Sequence, residues 1–294
     1  MNDNDWLARR FEEHRTHLRA VAYRMLGSLS EADDAVQDAW LRVSRAEVSE
    51  VENFGGWLTT IVARVCLNML RARKVRREES LEVHLPDPVI SREGELLPEA
   101  EALLADSVGL ALLVVLDALA PAERLAFVLH DMFELPFDEI APMVGRSPAA
   151  ARQLASRARR RVKGADVPDP DLVRQRAVVD AFFLAARGGD FDTLVALLHP
   201  DVVLRADFGP GRPEASIFVR GAAAVVRQAR LGANPAAQLH PALVNGAAGV
   251  VITLAGEPHV IMAFTVAQDK VVEIDVIADP ERVRRVASAV LDDA

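Results

Sequence analysis

Between Asp166 and Asp171 the chain reads Asp-Val-Pro-Asp-Pro-Asp, and the hydrophobic patterning differs on the two sides of this break. Before it, apolar residues recur at three- and four-residue intervals, the period of a helix with one buried face. After it come two helical stretches and then short runs rich in Val and Ile, bounded by turn residues, which is the pattern of strands. The two periods need different packing partners, helix on helix in one half and helix on sheet in the other. The expected fold is therefore multi-domain, all-α first and α+β second. A length of 294 residues agrees with two or three domains at roughly 150 residues each.

Within the first half, residues 6–77 read as helical throughout. Ser30-Glu31-Ala32-Asp33 resembles a capping box that opens a helix running to Val43. A further helix begins near Phe54-Gly55-Gly56-Trp57 and ends in a basic run. Residues 79–102 carry Pro86, Pro88, Gly94 and Pro98 without a clean period, which predicts a linker. Helices are predicted again over 103–119, 121–133 and 137–144. Gly145 can take the positive φ that ends a helix, Ser147 is a natural N-cap, and Pro148 suits the first helical position. The following helix buries Ala151, Leu154, Ala155, Ala158 and Val162 and turns Arg152, Gln153, Ser156, Arg157 and Arg160 outward. This is a helix-turn-helix with a basic second helix.

The net charge of -9 should repel phosphate, so nucleic-acid binding requires local positive patches. Two exist. Arg71, Arg73, Lys74, Arg76 and Arg77 form one; Arg152, Arg157, Arg159, Arg160, Arg161 and Lys163 form the other, and together they hold eleven of the 34 basic residues. Cys66 is the single cysteine, with apolar neighbours at helical spacing, which predicts a reduced core thiol in a cytoplasmic protein and neither a disulfide nor a metal site. The N-terminus lacks the features of a signal peptide, and the longest apolar run is about half of the roughly 20 residues a membrane span needs. No cofactor, metal or catalytic residue is expected.

Residues 31–43, Glu-Ala-Asp-Asp-Ala-Val-Gln-Asp-Ala-Trp-Leu-Arg-Val, resemble the polymerase-binding helix of sigma-70-type factors. Residues 117–124, Asp-Ala-Leu-Ala-Pro-Ala-Glu-Arg, and the helix-turn-helix resemble their fourth region. Order and spacing are those of the compact extracytoplasmic-function class. Beyond the break, Val178-Val179-Asp180-Ala181-Phe182-Phe183, Gly189-Asp190-Phe191-Asp192 and His199-Pro200-Asp201-Val202 resemble the opening of SnoaL-like domains, cone-shaped α+β folds related to polyketide cyclases. Together they resemble the sigma-J type.

The resemblance implies region 2 at 1–78, a linker at 79–102, region 4 at 103–165, a spacer at 166–171 and a regulatory domain at 172–294. It assigns Asp34, Gln37, Asp38 and Trp40 to core RNA polymerase, through its β′ and β subunits. Arg64, Asn68, Arg71, Arg73 and Lys74 would read the minus-ten element of promoter DNA. Related factors often carry Asn where this chain has Arg64. Arg146, Ser147, Arg152, Gln153, Ser156, Arg157 and Arg160 would engage the minus-thirty-five element, with Arg159 among the phosphate contacts. Phe54 and Trp57 are expected in the core and not stacked on bases.

The family's fused domain carries an Asp, a glycine run and a basic residue, here Asp207-Phe208-Gly209-Pro210-Gly211-Arg212, and an Asn-Pro-Asp-Lys-Leu-like element, here Asp279-Pro280-Glu281-Arg282-Val283. Asp207, Gly209, Gly211, Arg212, Asp279, Pro280 and Arg282 are thus the expected regulatory contacts. A family linker signature, Trp-Leu-Pro-Glu-Pro, is matched to Leu96-Leu97-Pro98-Glu99-Ala100. Asp207, Arg205, His199 and His259 are expected to line a cone holding a small-molecule ligand, and the protein is expected to be monomeric when free. Two other readings fit the same residues: a ligand-controlled helix-turn-helix regulator, and a cyclase or isomerase using Asp207 with an appended DNA-binding half.

Overall fold

A computed structural model describes residues 3–46, 53–77, 84–94, 109–163, 169–212 and 215–291, and the chain forms two compact units. The first comprises residues 1–80 and 113–165, the second residues 81–112 and 166–294.

The first unit is helical. α1 (Asp3–Leu26), α2 (Leu29–Val43) and α3 (Phe54–Arg77) pack on one another. Leu18, Val21, Tyr23, Met25, Val36, Leu58, Val62, Cys66 and Leu67 fill the core between them. Burial pushes the Cys66 thiol up to about 12, so it stays protonated and inert, in line with its apolar neighbours. The N-cap of α2 is Ser28 and not Ser30: its side chain accepts the Glu31 N–H at 3.4 Å, and its extended backbone turns the chain out of α1. α4 (Leu110–Asp117) leads into α5 (Pro121–Phe127), α6 (Phe137–Val144) and α7 (Pro148–Val162). The helix expected over 121–133 changes pitch partway. Its second part, Val128–Met132, is a π-helical turn.

A buried arginine ties this unit together. Arg124 on α5 is 1% exposed; its Nε donates to the carbonyl of Arg24 at 3.2 Å and its Nη1 to Asp117 Oδ1 at 3.1 Å. Burial lowers Arg124 to about 10, so it remains charged and needs that carboxylate.

The second unit is a seven-stranded sheet with strand order β1-β4-β5-β6-β7-β2-β3. Its strands are β1 (Ile90–Ser91), β2 (Leu198–Asp207), β3 (Ile217–Arg220), β4 (Gln238–Val244), β5 (Ala247–Leu254), β6 (Glu257–Ala267) and β7 (Lys270–Ile277). All neighbours are antiparallel except β2 and β7. α8 (Leu172–Gly188), α9 (Phe191–Leu197) and α10 (Ala222–Gly232) cover one face, around Val178, Val179, Phe182, Leu194, Val225, Leu204, Ala206, Phe264 and Ile274. α11 (Pro280–Leu291) packs on β6 and β1. The strand-like Val/Ile runs of the sequence, residues 202–206, 248–254, 260–267 and 271–277, are present as β2, β5, β6 and β7. β1, β3 and β4 lie outside those runs.

The larger correction concerns residues 79–102. The described part of this linker, residues 84–94, belongs to the second unit, where Leu85, Asp87, Val89, Ile90 and Ser91 are buried and β1 adds an edge strand against β4. The spacer at 166–171 is likewise docked where it is described: the Asp169 N–H donates to the Val266 carbonyl at 2.8 Å.

Arg205 on β2 donates to Asp275 Oδ1 at 2.8 Å and to Glu273 Oε1 at 2.9 Å on β7. Burial pushes Asp275 up to about 6, with Arg205 opposing and Glu273 adding to the rise. Because the folded value lies above the ordinary 3.8, Asp275 contributes stability that is complete below that value and lost as pH rises through about 6. Asp275→Asn is expected to flatten the fall in the unfolding midpoint of this unit over that window in pH-dependent urea melts.

Candidate functional site

Successive residues of an α-helix are rotated by about 100°, so residues four and seven positions beyond Arg64 share its face. Arg64, Asn68 and Arg71 accordingly form one exposed stripe on α3. Arg73, nine positions on, is rotated by about 180° to the opposite side. There it is 14% exposed and committed: Nη1 donates to the Leu26 carbonyl at 3.1 Å, Nη2 pairs with Glu31, and Asp117 lies 3.6 Å away. Arg73 is thus not part of the exposed basic stripe expected from the sequence. The side chain of Lys74 lies outside the described residues. Phe54 is buried among the rings of Trp6, His14 and Trp57, as expected of a core residue.

On α2, Asp34, Gln37 and Asp38 are exposed on one face. Trp40 is half-buried on the flank, tilted against Phe11 with ring centroids 5.2 Å apart, so it packs α2 on α1. Arg19 holds the adjacent Asp33 through two bonds of 2.6 and 3.1 Å.

The turn between α6 and α7 forms as its residue types dictate. Gly145 has φ 66° and its N–H returns to the Ala141 carbonyl; Ser147 caps α7 by accepting the Ala150 N–H at 3.3 Å; Pro148 occupies the first turn. Ala151, Ala155 and Ala158 are fully buried, small enough to let α7 approach α5 and α6 closely. Arg146, Ser147, Arg152, Gln153, Ser156, Arg157 and Arg160 are all exposed. Arg146, Arg157 and Arg160 make no ion pair among the described residues. Arg159, read as a phosphate contact, is instead bonded to Asp131, and Arg161 to Glu123 at 3.3 Å. The guanidinium of Arg152 lies 5.2 Å from the centroid of Phe137.

In the second unit the two family elements converge on the former linker. Asp207 is 2% exposed. Its Oδ2 accepts the Leu85 N–H at 2.9 Å and Arg282 Nη1 at 2.7 Å, and its Oδ1 accepts the Gly209 N–H at 2.9 Å. Arg282 also donates through Nε to Asp87 Oδ1 at 2.8 Å and through Nη2 to the Leu85 carbonyl at 2.6 Å. Asp279 Oδ1 accepts the Arg282 N–H at 2.8 Å, and Pro280 opens α11. Gly209 has φ 80°, and a Cβ there would stand 1.7 Å from Asp279 Oδ2, so only glycine fits. Gly211 and Arg212 are exposed.

The same segment is bolted at further points. Asn245 and Val89 exchange two bonds of 2.8 and 3.2 Å, Arg92 donates to the Val290 carbonyl, and Arg176 on α8 pairs with Glu93. These anchors hold the segment Leu85-Pro86-Asp87-Pro88-Val89 against the sheet domain. The match to Leu96-Leu97-Pro98-Glu99-Ala100 falls outside the described residues.

The expected ligand-lining residues are not inside the cone. Strand alternation puts Leu204 and Ala206 on the helix-covered face and Arg205 and Asp207 on the other. His199 and His259 are exposed. The interior is occupied by Phe182, Phe183 and Phe264, stacked edge-on at 5.5 to 5.7 Å. Asp207 is bonded to Leu85, Gly209 and Arg282, so the general acid or base considered from the sequence has no substrate-facing oxygen.

Residues 10–76 match the Sigma-70 region 2 family and residues 109–162 the Sigma-70, region 4 family. The chain is 40% identical to the ECF RNA polymerase sigma factor SigJ of Mycobacterium tuberculosis, over 92% of this chain and 91% of that protein. It is 33% identical to the probable ECF RNA polymerase sigma factor SigI of the same organism, over 95% and 96% respectively. The crystal structure of the Mycobacterium tuberculosis sigma factor SigJ superposes with a TM-score of 0.72 at 38% identity, covering 94% of this chain and 97% of that one. With helical regions 2 and 4 followed by an α+β sheet domain, this chain belongs to the extracytoplasmic-function class of sigma-70 factors, as a member with a fused SnoaL-like domain, a non-catalytic RNA polymerase subunit that directs transcription initiation.

Proposed function

We propose that this sigma factor reads promoters through two separate surfaces and that its C-terminal domain governs their use by holding the segment that joins them. The α2 face of Asp34, Gln37 and Asp38 meets the polymerase β′ coiled coil, and region 4 works beside the β subunit. The α3 stripe of Arg64, Asn68 and Arg71 follows the unstacked strand of the minus-ten element, where polar side chains meet the base and cations the backbone. Helix α7 enters the major groove at the minus-thirty-five element, with Arg152 and Gln153 toward base edges and Arg146, Arg157 and Arg160 toward phosphate. These events take place in the cytoplasm with the polymerase. A small-molecule ligand is not carried into this reading, because phenylalanine side chains occupy the site expected for it.

The observation that carries the regulatory part is the clamp of Asp207 and Arg282 on Leu85 and Asp87. The sequence-distant regulatory elements close on the chain between regions 2 and 4, so both promoter surfaces are joined through a folded domain. This replaces a separate inhibitor protein with a built-in one.

Reconstituted transcription separates the two surfaces. In holoenzyme, Arg64→Ala with Arg71→Ala is expected to reduce strand opening, read by permanganate reactivity, while duplex binding is retained. Arg157→Ala with Arg160→Ala is expected to weaken binding to all promoters and reduce the salt slope by about 1 per lost phosphate contact. If both pairs change both steps equally, the assignment of distinct jobs is wrong.

A further inference from the structure

On α7, Arg157 and Arg160 make no ion pair among the described residues, nor does Arg146 just before the helix, and Arg161 pairs with Glu123 on α5. Arg152 and Arg159, seven positions apart and therefore on one side of the helix, are each held by a residue from another segment. The holders come from one place. Asp131 Oδ1 accepts from Arg159 Nε at 2.5 Å, and Phe137, beneath Arg152, is stacked on His130 with ring centroids 3.8 Å apart and planes 32° from parallel. His130 is itself fixed, its Nδ1 donating to the Leu135 carbonyl at 2.9 Å.

His130 and Asp131 both lie in the π-helical turn Val128–Met132. Such a turn contains one residue more than an α-helical turn and rotates the residues beyond it by about 100°, and π-turns inside α-helices concentrate at functional sites. The chain then leaves through Glu134, a non-glycine residue at φ 57°, with the Leu135 N–H returning to the Leu129 carbonyl at 2.9 Å. A positive φ at a glutamate is a cost the fold tolerates at this one exit. Asp131 lies inside this turn, and from there it holds Arg159.

We propose that this π-turn is the positioning element of the promoter-reading helix: Asp131 sets Arg159 and the stacked His130–Phe137 pair sets Arg152 before DNA arrives. The proposal rests on the reading of α7 as the minus-thirty-five reader. An arginine whose rotamer is already restricted loses less freedom on binding, so discrimination is gained even though Asp131 removes positive charge from the interface. That opposition makes the idea testable by sign. A carboxylate acting only through its charge weakens all DNA binding, and its removal would strengthen all sequences alike. A positioning carboxylate does the reverse for discrimination.

The experiment uses the full chain reconstituted with core RNA polymerase, in competition binding between a promoter and a library with single-base changes across its upstream element. Asp131→Asn is expected to reduce discrimination about tenfold while leaving binding to unrelated DNA unchanged or tighter. Phe137→Leu should lose discrimination at the same base position as Arg152→Ala and add nothing to it in the double variant, with Phe137→Tyr close to the parent. Asp131→Asn and Arg159→Ala should be non-additive in the same way. His130→Gln, a replacement outside the buried core, should reproduce the Phe137→Leu profile in weaker form. The proposal is overturned if the base profile is unchanged in Asp131→Asn and His130→Gln, if losses track the melting temperature equally for all sequences, or if effects add fully to those of the arginine variants. A different outcome, Arg152→Ala leaving the base profile intact, overturns the reading of α7 and the proposal with it.

Discussion

Arg282→Ala is expected to destabilise the C-terminal unit by about 3–5 kcal/mol, the cost of removing one partner from a buried ion pair. The loss falls on both sides of the clamp. Asp207, 2% exposed, would lose its only guanidinium among the described residues, and Asp87, 4% exposed, would keep Arg285 at the longer distance of 3.4 Å. The Leu85 carbonyl would lose its donor as well. Urea unfolding of the full chain checks the magnitude, and hydrogen exchange at the Leu85 and Val89 amides checks the mechanism, because these protons should become exchangeable before the rest of the sheet. Arg282→Lys is not expected to restore the clamp, since a single ammonium cannot reach Asp87, Asp207 and the Leu85 carbonyl in three directions at once. If Arg282→Ala melts as the parent does, the clamp is not what holds residues 84–89. In reconstituted transcription the same variant should alter promoter output with polymerase binding retained, as expected of a change in the segment joining regions 2 and 4.

Arg124→Ala is expected to have a comparable effect in the helical unit, about 3–5 kcal/mol. Arg124 is among the largest fully buried side chains, and its removal opens a cavity while taking a guanidinium 3.1 Å from Asp117 away, with Arg73 lying farther off at 3.6 Å. Arg124→Met separates the two contributions. It fills most of the volume without the charge, so it should recover the part owed to packing and leave the part owed to Asp117. The check is the unfolding midpoint of both variants, repeated with Asp117→Asn. If Arg124→Met and Asp117→Asn add fully, the two residues do not act as a pair. Arg73 supplies a second readout: held by Glu31, the Leu26 carbonyl and Asp117, it should become more accessible to arginine-directed modification when Asp117 is neutralised.

Much of the site is legible in the sequence because it depends on local periodicity. Gly145, Ser147 and Pro148 specify the turn before α7 through their own backbone preferences, and the alanine face at residues 151, 155 and 158 comes from 3.6-residue spacing. The same spacing contains the correction to Arg73, nine positions from Arg64, but charge clustering along the chain obscures which side of α3 each arginine occupies. β4 escapes the Val/Ile pattern although Asn245-Gly246 is a strong two-residue hairpin signal; both residues take positive φ, 49° and 77°, and join β4 to β5. The helical character of 121–133 is legible, but its π-turn is not, since a single-residue insertion leaves no mark in composition.

By itself the sequence determined the division into a helical half and an α+β half, the helix-turn-helix and its basic outer face, and the family, because each rests on patterns spanning a few turns or strands. Tertiary structure alone decided to which unit residues 84–93 belong. A proline-rich extended segment looks the same whether it is a solvated tether or a strap bonded to a folded domain. What distinguishes the two is complementarity with partners 122 to 197 positions away, the Asp207 carboxylate and the Arg282 guanidinium, whose geometry exists only once the sheet and α11 have brought them together.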